Sequence, residues 1–247
     1  MIQLTVALPI WNSKKIAWIA LEGLCNQKQI YFDWELLIDE EQIGEYFGLE
    51  EIKKYVERLA DVRCVSIKYY AREKRIPLPQ KWHALSKKVC STSKVFLLQA
   101  ADCYSEPFRL RSTLDAANEG FDWIQNKRGY FYNVNLKKVI EFNSDTSGII
   151  CKTGLNMAIA THLLKKLNND SWLESGVDSW FFSTTQPKKI KWFEGEFTEG
   201  IDIDGLNNIS LMRKRYFDTP KAPFVATEKK IESIVPIEIL NLLNQIK

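Results

Sequence analysis

The chain has 247 residues and a mass of 28.7 kDa, enough to bury a sizeable core within one α/β domain. Its 45% hydrophobic and 26% charged residues exclude a disordered polymer, and 34 basic against 31 acidic residues leave a charge of +3, too balanced to indicate nucleic acid by itself. Cys25, Cys64, Cys90, Cys103 and Cys151 show no CxxC or zinc-type spacing and read as free thiols of a reducing compartment. No leader with a basic flank opens the chain, and no apolar run approaches the roughly 20 residues of a bilayer span, so a cytoplasmic protein is expected.

In chain order, Thr5–Pro9 is a buried strand running into Ile10-Trp11-Asn12, and Ser13 is placed to cap a helix through Ile16, Ile19, Ala20 and Leu24. Trp34–Ile38 is a second strand, ending on Asp39-Glu40-Glu41, and the acidic stretch from Asp39 to Arg58 has a helical pattern. Val62–Tyr69 alternates as a strand, Pro77-Leu78-Pro79 reads as a rigid loop, and Lys81–Cys90 as a short helix. A third apolar strand, Ser93–Leu98, runs into Gln99-Ala100-Ala101-Asp102, and a helix follows from Pro107. Gly129–Phe142 reads as a hairpin, Gly154–Leu167 as a helix and Ile190–Phe193 as a strand. Residues 1–219 then form one catalytic-size domain, with a linker and a C-terminal helix packed on it over 220–247.

Strands alternating with helices predict a mixed, mostly parallel central sheet flanked by helices, with a C-terminal helical tail. Open parallel sheets bind ligands beyond the carboxyl ends of their strands, so Asn12, Asp39 and Asp102 are expected to share one crevice. Asp102 suits a divalent cation that shares substrate phosphates, or it caps the helix near Pro107. Asp178, after Gly176-Val177 and before Ser179-Trp180-Phe181-Phe182, is either a helix cap or a base able to take a hydroxyl proton. Asp39 either accepts hydrogen bonds from a base or ribose or ends its strand; His83 and His162, without neighbouring metal ligands, read as structural. GxSxG, P-loop, HExxH and GxGxxG patterns are absent.

Taken in order, these segments resemble the family-2-type nucleotide-sugar glycosyltransferases of the GT-A, Rossmann-like fold. Pro9-Ile10-Trp11-Asn12 stands where that family has Pro-x-Tyr-Asn, and Leu24-Cys25-Asn26-Gln27 where it has LxNQ. Ile38-Asp39-Glu40 is the acidic strand end, and Ala100-Ala101-Asp102-Cys103 aligns with the Asp-x-Asp-Asp metal motif through Pro107. Val177-Asp178 matches the family's Glu-Asp pair, so the first metal-motif aspartate and the glutamate of the base pair are both replaced.

The resemblance implies an inverting glycosyltransferase that moves a sugar from a nucleoside-diphosphate sugar, UDP-sugar favoured, to an acceptor hydroxyl. It implies a donor site of Pro9, Ile10, Trp11, Asn12, Asp39, Ala101, Asp102, Arg213 and Arg215, with Asp102 holding Mn²⁺ or Mg²⁺ and Asp178 as catalytic base. A segment from Trp192 to Arg215 then becomes an acceptor-side lid. The acceptor is a glycan or, as for small bacteriophage enzymes resembling this family, a hydroxymethylated base in DNA, with Lys137-Lys138, Lys165-Lys166, Lys188-Lys189 and Arg213–Arg215 as a phosphate-contacting patch. In the phage case the compartment is the host cytoplasm. Two alternatives stand beside this: a non-catalytic sugar-nucleotide-binding pseudoenzyme, which fits the replaced aspartate, and a sugar nucleotidyltransferase, against which the loop Ile10–Ser13 has no glycine.

Overall fold

A run of buried apolar residues forms β1 (Ile2–Ile10), which pairs in parallel with β2 (Asp33–Glu41) on one side and β4 (Val95–Leu98) on the other. The computed structural model describes residues 1–143, 157–168, 177–193, 201–204 (backbone), 217–220, 222 and 224–245. Beyond β2 lies β3 (Cys64–Arg72), also parallel, and beyond β4 lies β9 (Ala158–Ala160), antiparallel. β6 (Trp123–Asn126) and β10 (Ile190–Phe193) complete a seven-stranded sheet ordered β10-β6-β9-β4-β1-β2-β3, the mixed, mostly parallel α/β sheet that the sequence predicts. A second sheet, β12-β8-β7-β11-β5, is built from β5 (Cys103–Tyr104), β7 (Arg128–Asn133), β8 (Lys138–Asn143), β11 (Ile201–Asp204) and β12 (Phe224–Ala226).

Alternation along β1 sends side chains to opposite faces. Leu4, Val6, Leu8 and Ile10 pack with helix α1 (Ala17–Cys25), with Leu59 of α3 (Val56–Asp61) and with α5 (Arg109–Asn118). Ala7, Leu37, Phe96 and Leu98 pack with α4 (Leu78–Ser86) and α6 (Val177–Thr185). The tail carries α7 (Ile237–Leu243), whose Ile239, Leu240 and Leu243 lie with Ile231 and Val235 against Ile16 and Ile19 and against Tyr130 and Tyr132 of the second sheet.

Four expectations are corrected. Asp39–Glu41 continue β2 and do not open a helix; the helical part of that stretch is α2 (Leu49–Lys53) and α3. Pro77 to Pro79 start α4, because proline is tolerated where helix N–H groups have no intrahelical acceptor. Within 154–167, residues 158–160 form β9 and Thr161–Lys166 a 3₁₀ turn, while 154–156 lie outside the described residues. Ser13 does not cap α1: its hydroxyl donates to the Trp11 carbonyl, and α1 starts after Ile16.

Gly23 lets α1 approach the chain at Ser105. A Cβ added at Gly23 would lie 2.4 Å from the Ser105 nitrogen and 3.1 Å from its oxygen, both rigid backbone atoms. Gln27 reinforces this contact, donating to the Glu106 carbonyl at 2.7 Å and accepting from the Leu110 N–H at 2.9 Å. Gly23→Ala is expected to cost about 1–3 kcal/mol of unfolding free energy by forcing α1 off this loop; urea titration of the two proteins measures it.

Candidate functional site

The carboxyl ends of β1, β2, β3 and β4 lie side by side, and the chain leaves each through a turn that carries polar groups. Pro9 is paired with Asp39 and Ile10 with Glu40, so the two motifs are neighbours across one parallel ladder. After Ile10 the backbone turns through Asn12, at φ 47°, a left-handed conformation that asparagine tolerates better than most residues. Asn12 is exposed and Trp11 half-buried at the crest of this turn. The guanidinium of Arg75, from the loop after β3, stands 4.3 Å from the Trp11 ring centroid, a cation–π contact.

The tip of β2 is unusual, because Asp39, Glu40 and Glu41 are all buried. Asp39 is gripped by Arg72 at the end of β3, whose Nε reaches Oδ1 at 2.6 Å and whose Nη2 reaches Oδ2 at 2.5 Å. These hydrogen bonds push the Arg72 guanidinium above its ordinary value, against the opposing effect of burial. Arg72 is the partly exposed member of the pair, with its side chain 29% accessible against 1% for Asp39. Glu40 points to the other face, where it accepts the N–H groups of Phe47 and Gly48 and the Tyr69 hydroxyl, and so fastens the loop after β2. Glu41 pairs with Lys81 of α4.

Asp102 lies in the turn that leaves β4 and enters β5, at the junction of the two sheets, with buried Ala101 before it. It does not cap α5, whose N-cap is Phe108; the Phe108 N–H is met instead by Glu106 Oε2 at 2.9 Å. The turn is held from beneath by Arg109, which is 2% exposed. Arg109 donates to the Leu98 carbonyl at 2.7 Å, to Ser105 Oγ at 2.8 Å and to Gln99 Oε1 at 2.5 Å. Gln99 in turn donates to the carbonyls of Ala100 and Cys103, on either side of Asp102. Burial pushes Arg109 down to about 10, so the guanidinium stays charged at neutral pH.

Asp178 occupies the first turn of α6 and is half-buried. The segment after α6 lies at the opposite end of the sheet, where the N–H groups of Lys188 and Lys189 bond Asp122 just before β6. Trp11, Asp39 and Asp102 follow or end adjacent parallel strands and so share one end of the sheet. Lys165-Lys166 and Lys188-Lys189 lie at the other end, beside the starts of β4 and β6, and Lys137-Lys138 sits on the β7–β8 hairpin. Arg213, Arg215 and most of the Trp192–Arg215 segment lie outside the described residues.

Sequence spacing does not single out Arg72, Arg75, Lys81, Gln99 or Arg109. The one available signal is that Arg72 ends an alternating strand next to the acidic tip of β2. Among the described residues no group of three His, Cys, Asp or Glu side chains could hold a metal ion. Asp102 is the sole carboxylate of its turn, which suits a Mg²⁺- or Mn²⁺-type ion that keeps waters and takes its remaining oxygens from a diphosphate. His162 pairs with Asp122 far from this turn.

No family model and no curated protein matches the sequence. Solved structures do match in fold. TarS 1–349 from S. aureus, in complex with UDP-GlcNAc, aligns with a TM-score of 0.65 at 17% identity, over 83% of this chain and 59% of that one. The mannosyltransferase PcManGT from Pyrobaculum calidifontis, in complex with GDP-Man and Mn²⁺, aligns with a TM-score of 0.58 at 11% identity, over 87% and 58%. A thymidylyltransferase-type protein from Bacillus anthracis aligns with a TM-score of 0.51 at 8% identity, over 82% and 89%. The chain therefore has the GT-A-like α/β fold found in nucleotide-sugar glycosyltransferases, and it spans less than two-thirds of the TarS and PcManGT chains it matches. Among the described residues no helix is long and apolar enough to cross a membrane.

Proposed function

We propose that the protein is an inverting glycosyltransferase that uses a nucleoside-diphosphate sugar. The observation that supports this reading is that Trp11, the Asp39–Arg72 pair and Asp102 stand at the carboxyl ends of adjacent parallel strands; Asp178, in the first turn of α6, is assigned to the same crevice. The base is assigned to the Trp11 turn. Arg72, the partly exposed member of the Asp39–Arg72 pair, is assigned to donate to a carbonyl oxygen of a base such as uracil or guanine. Ala101 and Asp102 face the diphosphate, and Arg213 and Arg215 are assigned to the same charge.

Asp102 is the residue that would hold a divalent cation, which when bound supplies Lewis-acid neutralisation of the leaving diphosphate. The protein's own part is to orient the donor and to provide the base. Asp178 accepts the proton of the acceptor hydroxyl as its oxygen forms the new bond to the anomeric carbon, while the bond to the diphosphate oxygen breaks on the opposite face. One displacement inverts the anomeric centre. A nucleotidyltransferase reading is disfavoured by Ile10-Trp11-Asn12-Ser13, which offers no glycine-rich phosphate loop after β1.

Thermal unfolding against a panel of UDP- and GDP-sugars tests the donor assignment. At about a hundredfold excess over Kd the matching donor should raise Tm by about 5–10 °C with Mn²⁺ present. Mn²⁺ alone should leave Tm unchanged, because one carboxylate makes a poor site without the diphosphate. A panel with no stabilising member contradicts the assignment.

A further inference from the structure

Behind the base-binding half of the crevice lies a buried ion pair that the proposed reaction does not use. Lys81, in the first turn of α4, is 2% exposed, with its Nζ 3.1 Å from Glu41 Oε1. The same ammonium donates to the Ile10 carbonyl at 3.0 Å. Glu41, the last residue of β2, is 1% exposed, and its Oε1 also accepts the Ile76 N–H at 2.8 Å. Its Oε2 is buried without a hydrogen-bond partner. One cation and one carboxylate therefore join the turn after β1, the end of β2 and the loop after β3. Trp11 directly follows Ile10 and Arg75 directly precedes Ile76, so the two members of the cation–π contact each sit one residue from an atom this pair holds.

A buried ion pair is a costly fastening, since stripping water from both charges offsets most of their attraction, and apolar residues of equal volume often hold a fold as well. Burial pushes the Lys81 ammonium below its ordinary value, against the pull of Glu41 and Asp39. What the pair adds over apolar packing is direction: it fixes a particular carbonyl and a particular N–H at hydrogen-bond distance. The turn of Asp102 is held by a separate set, Gln99, Ser105 and Arg109.

We infer that Lys81 and Glu41 are positioning residues for the nucleobase, setting the relative placement of Trp11 and Arg75 and thereby the affinity for the nucleoside half of the donor. The inference rests on the donor site proposed above. It separates the two halves of the ligand, because the pair touches the turns that flank the base and not the turn assigned to the diphosphate.

The test is calorimetric titration of the whole chain with uridine or guanosine, whichever the unaltered protein prefers, and separately with Mn²⁺-pyrophosphate. Lys81→Met should weaken nucleoside binding by about 10- to 100-fold, as loss of precise placement does. Mn²⁺-pyrophosphate affinity should stay within about twofold, as expected for a site with no shared partners. Glu41→Gln should weaken nucleoside binding by a smaller factor, again with Mn²⁺-pyrophosphate affinity within about twofold, and carries the comparison if Lys81→Met does not fold. Unchanged nucleoside affinity, or equal losses for both ligands, overturns the inference while leaving the donor site standing. Failure of the unaltered protein to bind either nucleoside or Mn²⁺-pyrophosphate removes the donor site and this inference together.

Discussion

Asp178→Asn should lower turnover by about 10²- to 10⁴-fold, the range a positioned general base supplies, and change donor affinity by no more than about twofold. The asparagine amide has nearly the same shape but cannot take the acceptor's proton. Asp178 stands in the first turn of α6. It lies on a different element from Trp11, Asp39 and Asp102, which is why donor binding should survive the change. Steady-state rates at saturating donor, paired with titration of the nucleoside diphosphate, separate the two quantities. A loss of donor affinity equal to the loss of rate would make Asp178 a binding residue.

The largest stability effect is expected at Arg109. Arg109→Met should cost about 3–5 kcal/mol of unfolding free energy, because buried acceptors lose their donor and each unsatisfied group carries a penalty of about 1–3 kcal/mol. The groups affected are the Leu98 carbonyl, Gln99 Oε1 and Ser105 Oγ. Ser105 also donates to Gln99 Oε1 at 2.6 Å, so that oxygen keeps one partner and the cost is not the full sum. A second consequence reaches the site. Gln99 holds the carbonyls of Ala100 and Cys103, so losing its anchor should loosen the turn that carries Asp102 and weaken metal-dependent nucleotide binding before the fold is lost. Arg109→Lys keeps the charge but not the fork of donors and should recover only part of the loss. Denaturant unfolding followed by nucleotide titration below the transition reads both effects.

The strand tips were the most legible part of the sequence, because short apolar runs that stop at polar residues mark buried parallel strands whatever the rest of the chain does. Thr5–Pro9, Trp34–Ile38 and Ser93–Leu98 all lie within or overlap the central strands, and those strands share the expected end of the sheet. The acidic tip of β2 was less legible. Three successive buried carboxylates contradict the usual composition of a strand, and the groups that make them tolerable, Arg72 and Lys81, come from later elements that no local pattern connects to them. Residues 158–160 illustrate a different limit: Ala-Ile-Ala inside an apolar stretch fits a helix or a strand, and only pairing with β4 and β6 decides for the strand. Pro77 and Pro79 support either a loop or a first helical turn, and α4 shows the second. Most of the second sheet was illegible beyond the β7–β8 hairpin, because β5 and β11 are too short to carry a pattern and their pairing is set by distant chain. Of the site itself, the acids could be read as strand and helix ends. The arginines and the lysine that orient them could not, since their meaning lies in three-dimensional neighbours.

The most direct measurement is a crystal structure of the protein with the best-stabilising nucleoside-diphosphate sugar and Mn²⁺. The account predicts the base against Trp11 and the outer edge of Arg72, the diphosphate and metal at Asp102, and the Asp178 carboxylate facing the anomeric carbon from the side opposite the diphosphate. Density for the nucleotide anywhere else, or an Asp102 side chain turned away from the diphosphate, would contradict it.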